Sequence, residues 1–248
     1  MDSPLSLIKS SLRGVLVLGV LAASLAFTGC ASVPRIEPDK AALKSVRTIA
    51  LLRVQEPRTV EVANLGGAAS AFGLIGGIAQ GVNNMNRTEE FVTALRESKR
   101  SLAEPFSAKL VESLQAAGYH VTVSEQQPKP AAENKSDDFS TISVKEDLIL
   151  CVWIGHTGYF SQPYSLSFEP CVLISARALD ARTKRDLYWK TFSIGYDMKI
   201  KQVTNIPADP RYTYASHPEI MKQIDDSITG LIESHNLAAR AIAADLRP

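Results

Sequence analysis

Apolar and polar positions alternate along the chain in a pattern that changes period several times. Val46–Val54 is short, apolar and partly alternating, which predicts a β-strand. Residues 87–117 carry a helical period. Thr88 is placed to cap a first piece running through Lys99. Ser101-Leu102-Ala103-Glu104 then fits a capping box, with Pro105 in the first turn where its missing donor costs little. Phe106, Leu110, Leu114 and Ala117 fall on one face of that second helix, and Gly118 ends it. Tyr119–Ser124 alternates as a strand. Leu148–Ile154 is apolar throughout, as expected of a strand covered on both faces. Cys171–Leu179 and Leu187–Tyr196, joined by the charged turn Asp180–Asp186, predict a hairpin. Ser216 and Pro218 open a long C-terminal helix. Ile220, Ile224, Ile228, Leu231, Ile232, Ala239 and Ile242 form its stripe, and Gly230 weakens the helix by about 1 kcal/mol against alanine, enough to permit a bend.

This order predicts an α+β fold, with a mixed sheet of about five strands flanked by helices and a long C-terminal helix. Three stretches fall outside the pattern. Residues 126–140 are rich in Pro, Lys, Glu and Asp and read as a mobile surface loop. Residues 156–170 read as a loop rich in aromatics. Residues 64–82 are uncharged and glycine-rich, unlike anything else in the chain.

The first thirty residues are organised differently. Lys9 and Arg13 precede an uncharged Leu-, Val- and Ala-rich run from Gly14 to Phe27. That run is shorter than the ~20 residues a bilayer-spanning helix needs, so it reads as the core of a signal peptide. Leu25-Ala26-Phe27-Thr28-Gly29-Cys30 resembles the lipobox of bacterial lipoproteins. The resemblance implies cleavage after residue 29, with acylation of the Cys30 thiol and of its new amine. Ala31 follows the cysteine where aspartate would signal retention. By the same resemblance to Gram-negative lipoproteins, this implies transfer to the outer membrane, with the domain facing the periplasm. Residues 30–44, with Pro34 and Pro38, read as a tether, and residues 45–248 as one periplasmic domain.

Hydrophobic residues make up 45% of the chain and charged residues 21%, enough for an ordinary core. Loss of Lys9, Arg13 and Asp2 with the leader leaves the mature chain near neutral, which excludes an electrostatic footprint for nucleic acid. Cys151 and Cys171 lie in strands expected to pair. In an oxidising compartment they form either a disulfide or two buried thiols. His120, His156, His217 and His235 show no ligand spacing, so neither a metal nor a cofactor is expected. Nucleophile elbows, metalloprotease motifs and phosphate loops are missing from the sequence, which points away from catalysis.

Two segments are candidates for interaction. Gly73, Gly77 and Gly81 would form a flat face on a helix, suited to self-association or to contact with membrane; the alternative is an apolar loop packed on the sheet. Tyr159, Phe160, Tyr164 and Phe168, with Tyr212 and Tyr214, would form either a partner-binding patch or the packing of their own loop.

The run Ile49–Val54, the helix end at Leu114–Tyr119, Asp147–Leu150, and Ala178–Ala181 before Leu187–Lys190 share a layout with a group of envelope lipoprotein domains. The layout resembles the curli secretion channel subunit, the lipoprotein activators of peptidoglycan synthases and the N-terminal domain of the Tol-system translocation protein. That resemblance implies binding of an envelope partner or self-assembly, anchored to membrane through the N-terminal lipid.

Overall fold

The computed structural model describes residues 33–65, 73–130, 137–161, 165 and 167–248, with backbone alone for 73–82. The signal peptide, Cys30 and Tyr164 lie outside the described residues. So do positions 66–72 of the glycine-rich segment.

Seven strands form one mixed sheet, in the order β3-β1-β4-β5-β6-β7, with β2 beside β4. The strands are β1 (Thr48–Leu52), β2 (Thr59–Asn64), β3 (His120–Ser124), β4 (Leu148–Ser161), β5 (Phe168–Asp180), β6 (Asp186–Gly195) and β7 (Val203–Ile206). The helices are α1 (Lys40–Leu43), α2 (Gly73–Glu97), α3 (Ala103–Ala116), α4 (His217–Lys222) and α5 (Ile224–Leu246). The fold is α+β, with the long helix at the C-terminus.

β1 runs parallel to both β3 and β4, whereas β4, β5 and β6 are antiparallel neighbours. Period-two alternation sends Leu148, Leu150, Val152 and Ile154 of β4, and Val172, Ile174, Ala176 and Ala178 of β5, to the helix-covered face. There they meet Phe106, Leu110 and Leu114 of α3 and Ile228, Leu231, Ala238 and Ile242 of α5. The opposite face buries Leu52, Ile149, Cys151 and Leu179 beneath Phe139 and Ile142. The downstream end of the expected mobile loop is therefore packed onto the sheet. Arg177 pins it there. Its guanidinium lies 4.9 Å from the Phe139 ring centre and 4.3 Å from that of Trp189, and bonds both oxygens of Asp186 at 2.6 and 3.1 Å.

Several elements differ from expectation. Residues 156–170 are not a loop: β4 continues to Ser161 and β5 begins at Phe168, paired through this stretch. A bulge at Gly155 lets Thr157 and Tyr159 regain the helix-covered face. Strands β2 and β7 raise the sheet from five to seven. Helix α2 begins at Gly73, so Thr88 caps no helix. It closes an edge instead. The Val62 amide donates to Thr88 Oγ1 at 3.0 Å, and the Asn64 amide donates to Asn84 Oδ1 at 3.0 Å. Two side chains one helical turn apart thus supply the partners that a neighbouring strand would give β2.

The C-terminal helix is interrupted at Gln223, and α5 runs on through Gly230. A Cβ on Gly230 would sit 2.5 Å from Tyr212 Cγ and 2.8 Å from Tyr159 Oη, so close packing explains this glycine. In the capping box, the Glu104 amide donates to Ser101 Oγ at 2.9 Å as expected. The reciprocal partner comes from elsewhere. Glu56 accepts from the Ser101 hydroxyl and from the amides of Leu102 and Ala103.

Residues 34–44 are not a tether, because the folded unit starts at Pro34. β5 occupies one edge of β6 at Trp189, and the N-terminal segment lies on the other. Ile36 and Trp189 exchange backbone hydrogen bonds at 2.7 and 2.9 Å, and the Asp39 amide donates to the Leu187 carbonyl. Leu43 is fully buried. A polar cluster fixes the segment further. The Lys190 ammonium, nearly buried, bonds Glu37 at 2.8 Å and Asp245 at 3.1 Å, and the Tyr188 hydroxyl donates to Asp245. Glu37 is held ionised below the usual carboxylate range, first by Lys190 and then by Arg35.

Candidate functional site

The aromatic residues proposed as a patch part company. Tyr159 and Phe168 are buried, and Tyr159 packs edge-on against Phe91 and Tyr214 while its hydroxyl donates to the Ser227 carbonyl. They belong to the core. Phe160 points to the other face, where it lies 4.6 Å from His156 and 5.7 Å from Tyr196.

Cys151 and Cys171 are free and buried. Their strands pair as expected, but Cys151 stands opposite Arg177 and Cys171 opposite Gly158. A seven-residue offset separates the two by about 23 Å at ~3.3 Å per residue, far beyond the ~7 Å limit for a bridge. The disulfide reading gives way to two thiols, each pushed up to about 12 chiefly by burial.

The histidines are scattered. His120 is exposed on β3, and His217 starts α4 with Nδ1 3.7 Å from Glu90. His156 and His217 are both pushed down by burial. His235 is wholly buried on α5. Its Nδ1 lies 2.6 Å from the Leu231 carbonyl, so Nδ1 carries the proton and Nε2 accepts from the Thr157 hydroxyl at 3.1 Å. Among the described residues no His, Cys, Asp and Glu group is arranged to hold a metal ion.

Gly73, Gly77 and Gly81 have helical backbone, as one of the two readings expected. What their face meets lies outside the described side chains. Among the described residues no helix is long and apolar enough to cross a membrane.

The site that the sequence did not reveal lies where β4 changes partners. β1 pairs with residues 148–150 of β4, and β2 pairs with residues 156–161. Residues 151–155 lack a strand on that edge, and the β1–β2 connection loops over the gap. The Arg58 amide donates to the Ile154 carbonyl, and the Arg53 amide donates to the Ser124 carbonyl. Between them opens a crevice of about 330 Å³, lined by Arg53, Arg58, Gln127, Asp137, Cys151 and Trp153 among others. It lies past the carboxyl ends of the parallel strands β1 and β3, the place where sheets of this kind gather ligand-binding loops.

Its walls combine charged, aromatic and thiol groups. The Arg53 guanidinium is exposed, bonds Glu125 at 2.8 Å, and is held charged by that carboxylate. Among the described residues no carboxylate lies within 4 Å of Arg58. Trp153 is half-buried, with its ring edge-on to Phe139 at 6.3 Å. Cys151 on the floor is protonated at neutral pH. Guanidinium groups and the carboxylates of Glu56 and Asp137 beside a flat indole suit a ligand with both polar and apolar parts.

No family model matches the chain, and no curated protein matches it in sequence. Solved structures to which the chain is similar include the PelC dodecamer from Paraburkholderia phytofirmans. It is 10% identical with a TM-score of 0.36, covering 87% of this chain and 96% of that one. The chain is also similar to lipoprotein GNA1162 from Neisseria meningitidis, at 16% identity and a TM-score of 0.26, covering 60% and 81%. A third is the hypothetical protein CT253 from Chlamydia trachomatis, at 10% and 0.29, covering 82% and 98%. At these scores none of the three bears on what this chain does.

Proposed function

We propose that this chain is a non-enzymatic lipoprotein, anchored through Cys30 at the periplasmic face of the outer membrane, that binds a protein or cell-wall partner. The crevice at the β1–β2 gap carries the reading. It offers guanidinium and indole groups beside the carboxylates of Glu56 and Asp137, a set that supports recognition of a polar partner. The lipobox supplies the address. Three acyl chains hold a protein firmly, since two already suffice.

Partner capture in intact cells tests it, with a photo-crosslinking residue at Gln127 on the crevice rim. A discrete adduct with an envelope protein or with peptidoglycan is expected, and it should vanish in the Arg58→Glu, Trp153→Ala double variant. Adducts unchanged in that variant, or a mature chain without fatty acid on Cys30, refute the reading.

The helical backbone at Gly73, Gly77 and Gly81 favours a second reading, self-assembly through that glycine face or its insertion in membrane. Gly77→Leu should then dissociate oligomers in detergent. A monomeric sedimentation profile of the unaltered chain rejects it.

A further inference from the structure

Four large apolar side chains are exposed among the described residues: Leu65, Met85, Val123 and Ile200. Ile200 stands apart because of its surroundings. It sits in the β6–β7 connection, Tyr196-Asp197-Met198-Lys199-Ile200-Lys201-Gln202, where apolar and cationic residues alternate. Lys199 has φ +54°, a left-handed turn that leaves Lys199, Ile200 and Lys201 all exposed at the tip. The turn is anchored from behind. The Met198 amide donates to Asn205 Oδ1, and the Val203 amide donates to the Ile200 carbonyl. Lys199 is paired with Asp197, whereas among the described residues no carboxylate lies within 4 Å of Lys201.

This connection adjoins the residues that follow the acylated cysteine. Arg35 donates to the Gln202 carbonyl at 3.3 Å. Arg35 is five residues after Cys30, and an extended chain covers at most ~3.6 Å per residue, or about 18 Å in all. A lipid on Cys30 therefore holds the Ile200 turn within reach of the headgroups.

We infer that residues 196–202 are a membrane-contacting turn. Ile200 and Met198 enter the interface of an anionic phospholipid bilayer, and Lys199, Lys201 and Arg35 meet its headgroups. The inference rests on the anchoring of Cys30 proposed above. The turn need not bind membrane unaided. Each lysine near an anionic surface contributes only about fivefold in occupancy, but the acyl chains already supply a high effective concentration. The turn then sets which face of the domain looks at the bilayer.

Cys151 and Cys171 are both buried, and each is replaced by Ala so that the introduced cysteine alone takes the label. The full chain is expressed with its leader, extracted, and its acylation read from intact mass. Ile200→Cys is labelled with an environment-sensitive fluorophore and reconstituted into phosphatidylethanolamine–phosphatidylglycerol vesicles. Val123→Cys, five strands away on the opposite sheet edge and so about 24 Å distant, is the control. Quenching by brominated lipid should be several-fold greater at 200 than at 123, and Lys199→Glu with Lys201→Glu should bring the ratio toward one. Equal quenching at both positions in an acylated chain overturns the turn's role and leaves the anchor standing. A mass without acyl groups removes the anchor and this inference with it.

Discussion

Acidification should weaken this fold through one residue, His235. Burial pushes its imidazolium down to about 4, against 6.5 for the free side chain. The folded chain therefore binds fewer protons than the unfolded chain between those values. Stability is complete above pH 6.5 and falls as pH drops toward 4. A depression of about 2.5 units corresponds to about 3.4 kcal/mol in full, of which about 2 kcal/mol is already lost at pH 5. The structural cause is specific. A protonated ring would need Nε2 to donate, where Thr157 now donates to it, in a site closed by Phe106 at 6.1 Å. Urea unfolding followed by tryptophan fluorescence at pH 7.5, 6 and 5 measures the loss. His156 and His217 are depressed in the same direction and add to the slope, so the comparison is with His235→Gln, which cannot titrate. The variant should be less stable at pH 7.5 yet lose about 2 kcal/mol less on going to pH 5. Equal slopes in the two proteins would refute the argument.

Other substitutions probe the packing and the edges. Gly230→Ala improves helix propensity but drives a methyl into Tyr212 and Tyr159. A net loss of about 2 kcal/mol is expected from the shift in urea midpoint, and a neutral result would show that Tyr212 moves freely. Thr88→Val leaves the fully buried Val62 amide without its acceptor. It should cost about 1.5 kcal/mol and raise amide exchange at Val62 selectively. Arg177→Leu strands Asp186 and frees Phe139, with an expected loss of about 3 kcal/mol and faster exchange across residues 137–144; protection unchanged there would contradict its pinning role.

The strands β1, β3, β5 and β6, the second helix and the closing helix were legible, because each carries a period that matches how it is covered. β2 and β7 were not. Thr59–Asn64 sets Glu61 and Asn64 among its apolar residues, and Val203–Ile206 has only four residues, so neither carries a readable period. The aromatic stretch misled for a related reason. Gly155 and Gly158 look like loop residues, yet one accompanies a bulge and the other lies where a Cβ would be 1.7 Å from the Glu61 carbonyl oxygen. Thr88 fits a helix cap in its local sequence alone. Its true acceptor role faces a strand twenty-six residues away. The crevice left no mark in the sequence. Arg53, Arg58 and Trp153 are unremarkable singly, and only the change of partner along β4 brings them together.

The segment from Arg35 to Leu43 ties the start of the domain to its end, since Lys40 also bonds the carbonyls of Asp245 and Arg247. A load applied to the chain ahead of Arg35 would therefore not reach the sheet at a loose end. The Arg35–Gln202 contact would part first and the Ile36–Trp189 pair after it, as a zipper opens from its tab, and the Glu37–Lys190 contact would have to rupture next. Because Lys190 grips Asp245 as well, such tension is shared between a central hairpin strand and the last turn of the final helix.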